Sequence, residues 1–182
     1  MTSDLVERAQ RGEHEAFEVL ATAAYHRLYA IARRILRDGY AAEDAVQDAL
    51  VRAWRDVRGL RDRDRFDAWL HRLLVHACHD QVRRAHRRPV EVAQESIEPV
   101  ARDDLSLVAD RDEIERGFLR LSVEQRAVLV LTHYVGLSAP EIAEILGIPP
   151  GTVYSRLHYG ARALRDAIAG PDAGHATPEP GR

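Results

Sequence analysis

The stretch from Ser138 to Leu157, SAPEIAEILGIPPGTVYSRL, carries the most chemical information in the fewest residues of this 182-residue chain. Ser138 and Glu141 form a capping-box pattern, in which each side chain satisfies a backbone donor of the other. Pro140 falls in the first turn of the following helix, where a missing N–H costs little. Gly147 permits a turn, Ala143 leaves room for a close crossing, and Ile142, Leu146, Val153 and Leu157 fill the space between. Two short helices joined this way make a helix-turn-helix, and the second helix of such a pair enters the DNA major groove. On that second helix Val153, Leu157, Gly160, Leu164 and Ile168 lie along one line, while Thr152, Ser155, His158, Tyr159, Arg162 and Arg165 fall opposite. Arginine reads guanine edges or holds phosphates, and hydroxyls do either. A lone amphipathic helix is more simply read as solvated surface. The capped helix and tight turn ahead of this one favour DNA binding.

A second constellation lies on a helix expected from about Arg65 to Arg87. At about 100° per residue, Arg72, His76, His79, Arg83 and Arg87 share a stripe away from the apolar side, Arg84 and Arg88 thicken its end, and Trp69 sits at the border. A basic track beside an aromatic ring suits single-stranded nucleic acid, because charge follows the backbone and a ring stacks on a base. For Trp69 alone a core position is the simpler reading; the arginines have few acids on their own helix to neutralise them. A third, weaker signal is Glu43, Asp44, Gln47 and Asp48, with Arg52 and Arg55 on the same helix. This polar, acidic surface could dock a basic partner, although charged exposed faces are common.

Metal and catalytic chemistry find little support. His71, His76, Cys78 and His79 cluster in sequence, but finger spacing and HExxH are missing. There is no Gly-rich phosphate loop after a strand and no nucleophile–base arrangement above chance. No metal, cofactor or catalytic residue is expected.

The elements that must position these groups are helical. Ala, Leu, Arg and Glu dominate and all favour helices; aromatic residues make up only 6%. Phe17, Leu20, Ala24, Leu28, Ile31 and Ile35 predict a helix over 14–37, with Gly39 as its stop. Ala45, Val46, Ala49, Leu50, Ala53 and Val57 predict a second over 42–57, with Glu43 and Asp44 in its first turn. The segment Arg58–Asp64 reads as a polar loop. Ser122 with Gln125, and Ser138 with Glu141, start helices at Val123 and Ala139, and the last helix spans about Pro150 to Ile168. Residues 89–110 hold two prolines and few large apolar groups, with room for a short helical turn at Leu105–Val108. The tail from Gly170 is rich in Pro, Gly and Ala and reads as disordered.

Net charge is −3, which seems wrong for a nucleic-acid binder until it is mapped. Glu91 to Glu115 carries nine acids and two arginines, −7 in all, which leaves +4 for the rest. Binding a polyanion needs local, not global, positive charge. No apolar run is long enough to span a membrane. Residues 1–11 carry Asp4 and Glu7 and do not resemble a secretory leader. A single cysteine, Cys78, excludes an intrachain disulfide. The cytoplasm is the expected compartment.

In this order the three stretches resemble the extracytoplasmic-function sigma factors, the compact branch of the main sigma superfamily. EDAVQDALVRAWRD (Glu43–Asp56) is similar to that family's polymerase-binding helix. FDAWLHRLLVHACHDQVRRAHRR (Phe66–Arg88) is similar to its helix for promoter melting and minus-ten recognition. LSVEQRAVLVLTHYVGLSAPEIAEILGIPPGTVYSRLHYGARALR (Leu121–Arg165) is similar to its minus-thirty-five domain. The resemblance spans most of residues 14–169.

It implies an all-α protein of two small helical domains, an N-terminal bundle and a C-terminal helix-turn-helix domain, joined by a flexible acidic linker. The expected bounds are 1–88, 89–110 for the linker, 111–169, and 170–182 for the tail. It implies that Glu43, Asp44, Gln47 and Asp48 contact core RNA polymerase. The loop Arg58–Asp64 would capture a flipped base of the non-template strand. Arg61, Arg65, Trp69, Arg72, His76, Arg83, Arg84 and Arg87 would hold the melted minus-ten strand. Thr152, Tyr154, Ser155, Arg156, His158 and Arg162 would meet the minus-thirty-five duplex. The linker would thread toward the polymerase RNA-exit channel, and an anti-sigma protein would be a further partner. The family often has lysine or arginine where Tyr154 and Tyr159 stand, so this recognition helix is less basic than many. The main competing reading is a stand-alone helix-turn-helix regulator, which would bind duplex DNA without polymerase, usually as a dimer. A helical protein-binding adaptor and an enzyme follow.

Overall fold

The computed structural model describes residues 2–87 and 117–168, with the side chains of 86, 87, 167 and 168 excepted. The expected linker, its turn at Leu105–Val108, the start of the second domain at Arg111 and the tail lie outside the described residues, as does the side chain of Arg87.

Seven helices are described: α1 (Thr2–Gln10), α2 (His14–Leu36), α3 (Gly39–Asp56), α4 (Phe66–Arg87), α5 (Val123–His133), α6 (Ala139–Leu146) and α7 (Pro150–Ile168). Two single 3-10 turns, Val57–Gly59 and Arg63–Arg65, stand where a plain loop was expected between α3 and α4. The first helix was not anticipated. Its apolar side is only Leu5, Val6 and Ala9, too short a run to show a period, yet Val6 and Ala9 are buried.

The expected stripe of α2 is the buried one, with Leu28, Ile31, Ala32 and Ile35 fully enclosed. Its stop differs from expectation. Arg37, not Gly39, takes the left-handed conformation (φ 65°) and donates its N–H to Arg33 O. Asp38 then caps α3, its carboxylate accepting from Ala41 N at 2.9 Å. Because α3 begins at Gly39, Glu43 and Asp44 lie beyond its first turn; Asp38 supplies the negative charge there instead. Ala42, Ala45, Ala49 and Ala53 are all buried. Small side chains let α3 lie close to both α2 and α4, its main neighbours.

On α4 the core residues are Phe66, Leu70, Leu74, Val75, Ala77 and Cys78. Cys78 is fully buried, and burial pushes its thiol up to about 12, so it is inert. His71 is also buried, and its Nε2 has no hydrogen-bond partner among the described residues. Burial, aided by the charge of Arg27, lowers its pKa from 6.5 to about 4. The unfolded chain therefore takes up a proton near pH 6.5 that the folded chain refuses until near 4. Stability from this group is full above 6.5 and is lost as pH falls through that window. Denaturant titrations at pH 7 and pH 4.5 are expected to differ by about 2–3 kcal/mol more in the wild type than in His71→Leu. Equal losses in the two proteins would place the acid sensitivity elsewhere.

In the C-terminal helices both capping expectations hold. Ser122 Oγ accepts from Gln125 N at 3.2 Å and Gln125 Oε1 accepts from Ser122 N at 3.0 Å. Glu141 accepts from the N–H (2.8 Å) and hydroxyl (2.5 Å) of Ser138. Gly147 ends α6 at φ 66°, and the Ile148 N–H returns to Ala143 O at 3.0 Å. A non-glycine residue pays for that conformation. At Gly160 the reason for glycine is space: a Cβ there would lie 3.1 Å from Leu129 Cδ1, so α7 crosses α5 at close quarters.

The two groups of helices touch. α2 lies against α5, and α4 against α5 and α6, so buried apolar residues of both groups join in one cluster that runs from Val6 to Val153. The Arg65 guanidinium makes a two-pronged pair with Glu144 on α6, with Nη2 to Oε2 at 2.7 Å. The Arg34 guanidinium stands 3.9 Å from the centre of the Tyr134 ring.

Candidate nucleic-acid and polymerase interfaces

On α3, Glu43, Asp44 and Gln47 are exposed and Asp48 is partly so. They share their face with two residues that sequence reasoning passed over. Tyr40 is 82% exposed and Val51 58% exposed, and the spacing 40, 44, 47, 51 puts them at the two ends of the acidic patch. Large apolar groups left in solvent beside exposed acids make a surface suited to a protein partner. The signal was in the sequence, but Tyr40 lay outside the helix expected there.

Between α3 and α4, Arg61 is exposed and has no ion pair among the described residues. On α4, Arg72, His76, Arg83 and Arg84 are exposed and Trp69 is half-buried, its ring 5.9 Å from that of Phe66. Burial, then the nearby Arg72, lowers the His76 pKa. His79 is half-buried where α4 meets the second group, with Nε2 unpartnered among the described residues, and burial lowers its pKa too. The positive charge of this face at neutral pH is therefore arginine charge. His79 leaves the exposed stripe on which periodicity placed it, because α5 covers it.

Most of these arginines are already paired. Asp80 accepts from Arg83 and from Arg52 (2.7 Å), and those two bonds hold its carboxyl below the usual range. Asp48 accepts from Arg84 at 3.0 Å. Arg65 is on Glu144. Arg72, like Arg61, has no acid partner among the described residues. A cleft of about 820 Å³ runs between α4 and the start of α5, edged by His76, His79, Arg83, Ser122, Glu124 and Arg126.

On α7 the structure brings Tyr154, Ser155, His158 and Arg162 to one exposed face, with Thr152 at its edge. Tyr159, also exposed, joins them. The Ser155 hydroxyl donates to Gly151 O and Thr152 O, both at 3.1 Å. Arg162 is 3.8 Å from Asp166, a loose surface pair. Arg156 is set apart. It is half-buried, and its charge bears on Glu124 and His79. Among the described residues no group of three or more His, Cys, Asp or Glu side chains is placed to hold a metal, and no helix is long and apolar enough to cross a membrane.

A capped two-helix unit and a basic helix beside an exposed acidic face are the arrangement expected of a promoter-recognition protein of the sigma class. Residues 20–88 match Sigma-70 region 2 and residues 111–164 match Sigma-70, region 4. The ECF RNA polymerase sigma factor SigM of Mycobacterium tuberculosis is 37% identical over 145 residues, which cover 80% of this chain and 73% of that protein. The structure of CnrH in complex with the cytosolic domain of CnrY is similar at 29% identity, with a TM-score of 0.62 over 90% of this chain and 94% of that one. The fold is also that of the sigma factor RpoE from Bartonella quintana, solved with the anti-sigma factor NepR, with a TM-score of 0.66 over 85% and 98% of the two chains at 24% identity. The chain belongs to the extracytoplasmic-function family of RNA polymerase sigma factors. It is an alternative sigma factor, whose partners are core RNA polymerase and promoter DNA.

Proposed function

We propose a division of labour among the surfaces just described. The α3 face, through Glu43, Asp44, Gln47 and Asp48, docks on core polymerase in the cytoplasm. The loop Arg58–Asp64 traps an unpaired base, with Arg61 at its apex. Arg65, Trp69, Arg72, His76, Arg83, Arg84 and Arg87 follow the melted minus-ten strand. The α7 face reads the minus-thirty-five duplex, with Arg162 and Ser155 at its centre. Residues 1–88 and 111–169 act as separate domains once bound, joined through the acidic segment 89–110, and an anti-sigma protein restrains them. The observation that carries this reading is one chain holding both a capped helix-turn-helix and an exposed arginine helix next to an acidic, aromatic-flanked docking face.

Unstacking a base costs a few kcal/mol, so a domain this small gains little from melting DNA alone. Polymerase holding both domains at a fixed separation raises their effective concentration on one promoter. In the closed arrangement Arg65 is committed to Glu144, so engaging DNA through it requires the two groups of helices to part. The test is pull-down of core RNA polymerase followed by run-off transcription on a genomic fragment library. Stable binding and new start sites sharing a two-part upstream motif are expected. Absence of core binding by protein free of any copurified inhibitor, with a palindromic footprint on duplex alone, would overturn it in favour of a stand-alone regulator.

A further inference from the structure

Helix α1 lies wholly before residue 20, where the match to Sigma-70 region 2 begins. It nevertheless packs on both 3-10 turns of the loop between α3 and α4. The contact is polar and specific. The Gln10 amide donates from Nε2 to Val57 O at 3.1 Å and to Leu60 O at 2.7 Å, while its Oε1 accepts from Arg63 Nε at 2.9 Å. The same guanidinium donates from Nη1 to Glu7 Oε2 at 2.7 Å. Gln10 is half-buried and both ends of its amide are used. Beside it, Gly12 (φ 94°) sits under the Arg58 guanidinium, and a Cβ there would be 3.1 Å from Arg58 Nη2.

Without α1 this loop is held mainly by local bonds, among them Leu60 N to Val57 O, Arg65 N to Asp62 O, Phe66 N to Arg63 O, and Asp64 N to the Asp62 carboxylate. Residues 58–62 are exposed apart from the partly covered Leu60, and bury no apolar side chain fully. Such a segment is ordered by what holds its carbonyls. Gln10 fixes two of them three residues apart, and Glu7 with Gln10 fixes Arg63, the residue on the far side of the apex from Leu60. Arg61 at the apex is exposed with no ion pair among the described residues, in a loop of set shape, while Asp62 beside it caps the second 3-10 turn.

We propose that Glu7 and Gln10 are positioning residues for base capture: α1 is a brace that presets the loop 57–65 to receive the unpaired base. This rests on the reading of that loop as the base-binding element. Preorganisation of this kind strengthens binding by removing an ordering cost rather than by adding a contact.

The test uses full-length protein assembled with core polymerase. The probes are short fluorescent non-template strands from a promoter mapped as above, each abasic at one position of the minus-ten element. Wild-type holoenzyme is expected to bind one abasic strand much more weakly than the intact strand. Gln10→Glu keeps size and helix but removes both amide donors; it is expected to weaken the intact strand about tenfold, the scale of one or two lost hydrogen bonds. It is also expected to abolish most of the penalty for the abasic strand, with core binding unchanged. Glu7→Gln, which still accepts from Arg63, is expected to keep most of the penalty, and Glu7→Ala to lose it in part. Hydrogen exchange at residues 58–62 is expected to quicken in Gln10→Glu before any DNA is added. A wild type with no abasic penalty at any position would remove the base-capture reading and the brace with it. A penalty and exchange rates that survive intact in Gln10→Glu would overturn the brace alone.

Discussion

Holoenzyme assembly with Asp48→Arg is expected to weaken by at least about 2 kcal/mol, roughly thirtyfold in affinity for core polymerase. Asp48 stands on the α3 face beside Asp44 and Gln47, between the exposed Tyr40 and Val51. Reversing one charge in a patch that meets a basic partner replaces attraction with repulsion and leaves the partner's cation unpaired. The fold should tolerate the change. Among the described residues Asp48 makes one ion pair, to Arg84, with the side chains 36% and 57% exposed. Pairs as open as this contribute at most about 1 kcal/mol. Equilibrium binding of labelled protein to core, alongside a denaturant titration, separates the two effects. Unchanged affinity in a folded variant would move the docking face off α3.

Arg162→Ala is expected to cost about 1–3 kcal/mol in binding to the minus-thirty-five duplex if it makes a bidentate base contact. A uniform loss across sequences with a shallower salt dependence would make it a phosphate contact instead. Arg156, an equal partner in the sequence reading, is separated from it by the structure. It lies half-buried near Glu124 and His79. In the closed protein Arg156→Ala therefore removes a positive charge from the seam between the two groups of helices. The pKa of His79, now lowered by burial and in part by Arg156, should rise in that variant. Nuclear magnetic resonance titration of His79 reads this directly, and no change would place Arg156 outside the seam.

What could be read from the sequence was local. Ser122 with Gln125, and Ser138 with Glu141, fixed two helix starts because a capping box is complete within four residues. The bounds of α7 followed from Pro150 and from the apolar line at Val153, Leu157 and Gly160. The stripes of α2 and α4 were legible because each is long enough to show its period. The failures needed information from farther along the chain. Nothing near Leu5 and Val6 shows that a nine-residue helix finds a place against the turns at 57–65. Gly39 looked like the stop of α2, yet Asp38 claimed the next helix start and left Arg37 in the left-handed turn. His79 has the spacing of an exposed residue and is covered by a helix more than forty positions later. Among the site residues, exposure went as periodicity implied for Arg72, Arg83, Arg84 and Arg162, but the distant acid partners of Arg84 and Arg65 were invisible. Asp48 and Arg84 are 36 positions apart, and Arg65 and Glu144 are 79 apart.

The Asp48–Arg84 bond makes one carboxylate answer to two claimants. If a basic surface of polymerase takes Asp48, Arg84 loses its counter-ion and becomes a stronger ligand for phosphate. Thermodynamic linkage then runs in both directions by the same factor: DNA that draws Arg84 away leaves Asp48 freer for polymerase. The coupling is limited by the strength of the pair, about 1 kcal/mol or less, and must fade as salt screens it. A double-mutant cycle over Asp48→Asn and Arg84→Gln, read as single-strand affinity with and without core at two salt concentrations, measures that exchange; additivity at low salt would show that the two surfaces act independently.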